Sequence, residues 1–203
     1  MAWSYDLVSY SVSFGHWSVW RRSALTYLFA STPTHPQQVV ELGFGTGELL
    51  LEAAQRGLKI IGIERSAAML RVAQRKLNRH QCQAALIQAT GQTVPLAPAS
   101  ANVILVTFPA AYILEPATLQ ACARVLAPRG QMIIVGLNVA LRPHWLGRWL
   151  PLFYGELSPS VQRMIEQRLS AAGFIPTWQT FQDGPFAVSV IIAQKAKQEE
   201  VPA

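Results

Sequence analysis

Between Val39 and Leu50 the chain reads VVELGFGTGELL. Two β-branched residues run into an acid, three glycines alternate with other residues, and an apolar helical pattern begins. A strand that breaks into glycines and resumes as a helix belongs to layered folds in which strands and helices alternate. The alternation continues downstream. Gln38–Leu42 reads as a first strand, Gly47–Gln55 as a helix and Leu58–Ile63 (LKIIGI) as a buried second strand. Ser66 is placed to cap a helix over Ala67–Arg79, with Met69, Leu70, Ala73 and Leu77 on one face. Ala84–Gln88 and Asn102–Phe108 follow as the third and fourth strands. Ala117–Leu126 is a helix closed by APRG, in which Gly130 is expected to supply the turn, and Gln131–Val135 is a fifth strand.

Strands separated by helices pair in parallel through right-handed crossovers, and near-continuous apolar strands suit a sheet covered on both faces. The end of the chain differs. After a helix over Pro159–Ala172, the segments Phe174–Phe181 and Phe186–Gln194 are joined by Asp183-Gly184, a hairpin signal. The expected fold class is therefore α/β: a doubly wound, mostly parallel seven-stranded sheet with an antiparallel C-terminal hairpin edge. Residues 1–195 are expected to form one domain. Within it, residues 1–31 are an aromatic-rich helical lid in which Trp17, Trp20, Leu25 and Leu28 recur at helical spacings, and Thr32–Gln38 is a Pro-rich break. Residues 196–203 read as a solvated tail.

Composition narrows the class. The 203 residues are 51% hydrophobic and 14% charged, which excludes a disordered chain. The net charge of +6 is spread along the chain rather than gathered in a run. Cys82 and Cys122 have neither C-x-x-C spacing nor a histidine cluster beside them, so reduced thiols and no metal site are expected. Trp3, Tyr5 and Asp6 interrupt the start, which does not read as a signal peptide. The apolar run Val103–Leu114 is too short, and too broken by Pro109, to span a bilayer. A cytoplasmic protein is expected.

The glycine loop excludes ligands by its chemistry. Gly43, Gly45 and Gly47 close the first strand, at the sheet edge where open α/β folds bind ligands, and bare backbone there allows close approach. A dinucleotide fingerprint needs a glycine where Glu48 stands, and a P-loop needs a Gly-Lys-Ser/Thr ending that is absent. Glu41 and Glu48 flank the loop and would repel a pyrophosphate. Glu64 ends the second strand, 17 residues beyond Gly47, where a carboxylate can accept from both hydroxyls of a ribose, the alternative being that it caps the following helix or pairs with Arg65 or Arg71. The ligand so described carries a ribose, lacks phosphates and suits an acidic site.

E-L-G-F-G-T-G (Glu41–Gly47), the acid Glu64, ATGQTVPLAPASANVILVTF (Ala89–Phe108) and ACARVLAPRGQMIIVG (Ala121–Gly136), in that order, resemble the class I S-adenosylmethionine-dependent methyltransferases. The leader YDLVSYSVSFGHWSVWRRSAL is similar to that of the quinone-type and other small-molecule members. The resemblance implies the Rossmann-like methyltransferase fold and S-adenosylmethionine as cofactor. It implies that Gly43, Phe44, Gly45 and Gly47 lie along the methionyl part and the ribose, with Glu41 beneath the loop near the amino group. Glu64 would take the ribose hydroxyls, with Arg65 or Ser66 beside the adenine. Thr90, Gly91 and Gln92 fall where the family has an acid facing the adenine amine, and here the acid is missing. Thr107 and Phe108 fall among cofactor and substrate contacts.

Methyl transfer needs nucleophile, methyl and sulfur held in line, and a base only where the acceptor carries a proton that must leave. Tyr112 and His16 are the catalytic candidates, with Tyr5, Tyr10, Pro109 and Glu115 also expected on the substrate side and His144 as another possible base. Asp6 joins Tyr5 as a candidate lid over the cofactor. Thr107-Phe108-Pro109-Ala110 is not the N/D-P-P-Y/F/W stretch of nucleic-acid amino-methyltransferases, and neither cysteine follows a proline, so nucleic acid is not the expected partner. In Leu137–Ser158, Trp145, Trp149, Phe153 and Tyr154 lie beside Arg142, His144 and Arg148. Such a mixture suits a peripheral membrane contact, a cover over the acceptor pocket (an aromatic insertion over 138–158), or packing on the domain body. The expected acceptor is a small, partly apolar molecule. Two rivals are a nicotinamide-dependent oxidoreductase, lacking its third glycine and any Tyr-x-x-x-Lys pair, and a non-catalytic cofactor-binding or membrane-surface protein of the same fold.

Overall fold

The computed structural model describes residues 16–31, 38–141 and 157–196. Its centre is a seven-stranded sheet in the order β3-β2-β1-β4-β5-β7-β6. The strands are β1 (Val39–Leu42), β2 (Ile60–Glu64), β3 (Ala85–Gln88), β4 (Ala101–Thr107), β5 (Leu126–Leu141), β6 (Phe174–Asp183) and β7 (Phe186–Lys195). β1 to β5 pair in parallel, whereas β7 runs antiparallel to both β5 and β6. Among the described residues, five α-helices flank the sheet: α1 (Trp17–Ser31), α2 (Glu48–Gln55), α3 (Ala67–Arg79), α4 (Pro116–Val125) and α5 (Pro159–Ala171). Strand order reverses between β1 and β4, so a crevice opens past their C-terminal ends.

The period of two along each strand divides the core. Val40, Ile104, Val106, Met132 and Ile134 face one side, with Leu119 of α4 and Ile165 and Leu169 of α5. Val39, Val103, Leu105, Ile133 and Val135 face the other, with Trp20, Leu25 and Leu28 of α1, Leu49 and Leu50 of α2, and Ala73 of α3. Ser66 caps α3 by accepting from the Met69 N–H at 3.4 Å, and Ser158 does the same for α5.

Two expectations are corrected. The left-handed residue after α4 is Arg129 (φ +63°), not Gly130. Gly130 serves close approach instead: a Cβ there would lie 2.9 Å from the Ala127 carbonyl oxygen and 3.0 Å from that of Asn102. Leu126 already pairs with Ala101, and the register shifts before Gln131 meets Val103. β5 also continues six residues past Val135. Gly136 (φ +79°) bends it, the register shifts, and Val139–Leu141 resume pairing with Val188–Phe186. Ser189 bridges the bulge, accepting from the Asn138 N–H at 2.9 Å and donating to its carbonyl at 3.1 Å. Residues 138–141, expected to open an insertion, are thus strand.

Candidate functional site

A cavity of about 310 Å³ lies at the crevice, large enough for part or all of a small organic ligand. Its floor is the turn between β1 and α2. Gly43, Gly45 and Gly47 all have positive φ, at 77°, 55° and 76°. The missing side chains do different work. A Cβ on Gly47 would stand 2.6 Å from the Ala73 Cβ, so this glycine lets α2 and α3 close together and does not line the cavity. A Cβ on Gly43 would meet the Tyr112 hydroxyl at 2.5 Å, whereas at Gly45 it would find open space in the cavity. Gly91 lies against the Tyr112 ring, a Cβ there falling 3.0 Å from it.

Glu64 closes one side. Its Oε2 accepts from the Gly45 N–H at 3.1 Å and its Oε1 from the Ser66 N–H at 2.9 Å. One carboxylate therefore joins the glycine turn to the start of α3, and each oxygen keeps lone-pair capacity for a ligand hydroxyl. Glu41 lies beneath, 1% exposed, and one of its carboxylate oxygens has no hydrogen-bond partner. Burial pushes its carboxyl up to about 8; Arg21 and the Leu50 N–H oppose the rise, and Glu64 adds to it.

The far wall comes from β4 and its continuation. Thr107, Phe108, Pro109, Ala110 and Tyr112 line the cavity. Phe108 holds φ at +47°, a conformation unfavourable for a bulky residue. Three contacts hold it there. Its N–H donates to the Val135 carbonyl at 2.7 Å, its ring packs where a Cβ of Gly136 would stand 2.3 Å away, and Trp17 stacks on it at 3.9 Å.

Most of the expected residues come together here: Gly43, Phe44, Gly45, Glu64, Arg65, Thr90, Gly91, Gln92, Thr107, Phe108 and Tyr112 line one cavity, with Glu41 under it. At the adenine end of the expected site, Thr90 Oγ1 bonds to Thr93 Oγ1 at 2.9 Å, and the Gln92 amide donates to Glu115 at 2.7 Å. Glu115 thereby orients Gln92 from outside the lining. His16 also lies outside it, with Nδ1 2.6 Å from Asp183 Oδ2. Tyr5, Asp6, Tyr10, His144 and the aromatic residues Trp145, Trp149, Phe153 and Tyr154 fall outside the described residues.

Among the lining residues that the sequence reading did not place in the site are Trp17, Arg21, Glu48 and Met69. Trp17 and Arg21 are four apart on α1, hence on one face. A cation interrupting the apolar face of an aromatic-rich helix was the available signal. Arg21 Nε is buried without a hydrogen-bond partner. Burial lowers its pKa from the ordinary value, against the pull of Glu48, Glu41 and Glu52. Glu48 itself pairs with Lys76.

Residues 39–130 match the model of a methyltransferase domain. A ubiquinone/menaquinone biosynthesis C-methyltransferase of Syntrophotalea carbinolica is 28% identical over 142 residues, covering 68% of this chain and 59% of that protein. This chain thus spans less than two thirds of that relative. The protein of the same name from Rubrivivax gelatinosus is 27% identical over 192 residues, covering 84% of this chain and 74% of its own. Among solved structures, a SAM-dependent methyltransferase of Methanosarcina mazei shares the fold with a TM-score of 0.66 at 15% identity, over 84% of this chain and 98% of that one.

Proposed function

We propose that this chain is a class I S-adenosylmethionine-dependent methyltransferase and that it methylates a small, partly apolar acceptor of the quinone-like kind named in its relatives. One observation carries the cofactor side: the Glu64 carboxylate, held by the amides of Gly45 and Ser66, faces a glycine-floored cavity. The residues fit the group. Gly45 opens onto free space, Glu64 can accept from a ribose diol, and the buried, unpartnered Glu41 oxygen and Arg21 Nε match the ammonium and carboxylate of an amino-acid end. Bound there, S-adenosylmethionine supplies a methyl group on a sulfonium centre, already joined to a good leaving group.

The chain's task is then to orient and to exclude water. The glycine floor and Glu64 fix the donor end. Phe108, Pro109 and Tyr112 form the acceptor wall, with Trp17 behind Phe108. Tyr112, against both Gly43 and Gly91, spans the boundary between the two ends and is the proposed catalytic residue. His16 is not assigned the base role, because its Nδ1 is engaged by Asp183 and it does not line the cavity. Residues 1–31 are the proposed lid. The segment Leu137–Ser158, whose first five residues end β5, is proposed to deliver the acceptor, by covering the pocket or touching a membrane surface from a cytoplasmic position. Among the described residues no helix is long and apolar enough to cross a membrane.

Calorimetry with S-adenosylhomocysteine, followed by labelled-methyl transfer to apolar hydroxylated aromatics and to charged water-soluble acceptors, tests this reading. Binding of the nucleoside and turnover of the apolar set are expected. Tight NAD binding without S-adenosylhomocysteine binding, or turnover confined to charged acceptors, would sink it.

A further inference from the structure

We propose that Asp183 is a positioning residue for the ligand cavity: from the β6–β7 hairpin it fixes the first turn of α1 and, through that turn, Trp17 and Arg21. The inference rests on the function proposed above.

The His16 carbonyl accepts the first helical bond of α1, from the Trp20 N–H at 3.1 Å, which makes His16 the residue at the helix entrance. The first turn of α1 contains no acidic residue. Its amides and its dipole call for a negative group there. Asp183 brings one from 167 residues away. A single oxygen, Oδ2, accepts from His16 Nδ1 at 2.6 Å and from Trp20 Nε1 at 2.9 Å. Asp183 thus grips the entrance residue and the side chain one turn further on. Phe186, the β7 partner of Asp183, supports both, with its ring centroid 5.0 Å from those of His16 and Trp20.

Trp17 and Arg21 project from this same stretch of helix into the cavity wall. Trp17 stacks on Phe108, the residue held at positive φ. A loosened first turn would therefore disturb Arg21 at the polar end and Phe108 at the acceptor wall together. The far half of α1 is secured differently, by the buried Leu25 and Leu28. Its ion pair from Arg22 to Glu52 uses a largely exposed arginine and is a weak tether. Neither Asp183 nor His16 lines the cavity, so their influence on it passes through α1.

The test compares Asp183→Ala, Asp183→Asn and Gln182→Ala. Gln182 supports the same hairpin by donating to the Gly184 carbonyl at 2.8 Å, with no bond to α1 among the described residues. Three quantities are measured: S-adenosylhomocysteine affinity, thermal melting, and amide hydrogen exchange over residues 16–24 in the unliganded protein. Asp183→Ala is expected to weaken binding about five- to twentyfold and to speed exchange in the first turn of α1 about tenfold or more. Asp183→Asn, whose amide oxygen still accepts from the Trp20 indole, should fall between it and wild type. Gln182→Ala should leave affinity and α1 exchange at wild-type values. Wild-type affinity and protection in Asp183→Ala would overturn the proposal, as would equal losses in Gln182→Ala. If Asp183→Ala does not fold, Asp183→Asn carries the same comparison. A wild-type protein that does not bind S-adenosylhomocysteine would refute the proposed function, while the exchange rates would still decide the role of Asp183.

Discussion

Replacing Glu41 with glutamine isolates a buried acid beneath the ligand cavity. Burial, the largest influence, moves this carboxyl from an ordinary 4.5 to about 8. Between those values the folded chain keeps a proton that the unfolded chain has released, so stability must fall as pH rises through the window. It is fully present below about 4.5 and reaches its floor above about 8. At about 1.4 kcal/mol per pH unit, the whole window amounts to about 5 kcal/mol. Glutamine has nearly the same shape and never ionises. Glu41→Gln should therefore match wild type near pH 5 and gain on it by about 1.4 kcal/mol per pH unit up to pH 8. Urea unfolding of both proteins at pH 5, 6, 7 and 8 measures the difference, and contributions from other groups cancel in it. A ligand ammonium beside Glu41 favours the carboxylate, so binding should release a proton and wild-type affinity for S-adenosylhomocysteine should rise with pH towards 8. Calorimetry in buffers of different ionisation enthalpy counts that proton. A stability difference independent of pH would refute the electrostatic argument, and binding without proton release would refute the placement of the ammonium.

Other substitutions separate the parts of the site. Glu64→Ala removes the acceptor for a ribose diol and the tie between Gly45 and Ser66, and S-adenosylhomocysteine affinity should drop about a hundredfold in calorimetry. Gly47→Ala forces a Cβ against Ala73 at positive φ and should cost about 2–4 kcal/mol in denaturant melts. Gly45→Ala meets no protein atom, so it should cost only about 1 kcal/mol of stability while cutting ligand affinity about tenfold or more. Gly136→Ala drives a methyl into the Phe108 ring. Tryptophan fluorescence should report a disturbed Trp17 stack, and acceptor turnover should fall more than donor affinity does.

The glycine turn and its neighbours were legible because their signals are local. A strand end, three glycines and a helix start are set by neighbouring residues, and Glu64 closes the next strand on the same edge. The Ser66 cap, the split of each strand between two core faces and the hairpin at Gly184 (φ +53°) follow equally short-range rules. What escaped reading depends on distant partners. A bulged strand such as β5 breaks the period of two at Gly136, so its last residues read as an insertion until β7 supplies Val188–Phe186 as partners. His16 carries no hint of Asp183, and Arg21 none of the acids around it, because those neighbours arrive only when α1 docks. Gly130 looked like the turn residue by composition, yet the crowding of two carbonyls explains it and Arg129 takes the strained conformation.

The same division governs how the two ends of the cavity respond to change. The donor floor is covalently continuous, from β1 through its glycines into α2, and its geometry follows from backbone that only glycine adopts cheaply. The proposed acceptor wall is assembled from α1, the end of β4 and the bend in β5. Phe108 at positive φ costs about 1–3 kcal/mol by itself and persists because Trp17, Gly136 and the Val135 carbonyl all act on it. Strain held by three separate elements can be released by altering any one of them. Substitutions in α1 or around Gly136 should therefore reshape the acceptor wall while the Glu64–Gly45 contact stays intact. On the proposed assignment of the two ends, the acceptor can change without rebuilding the donor site, because the wall that would meet it is a product of tertiary packing and the floor is not.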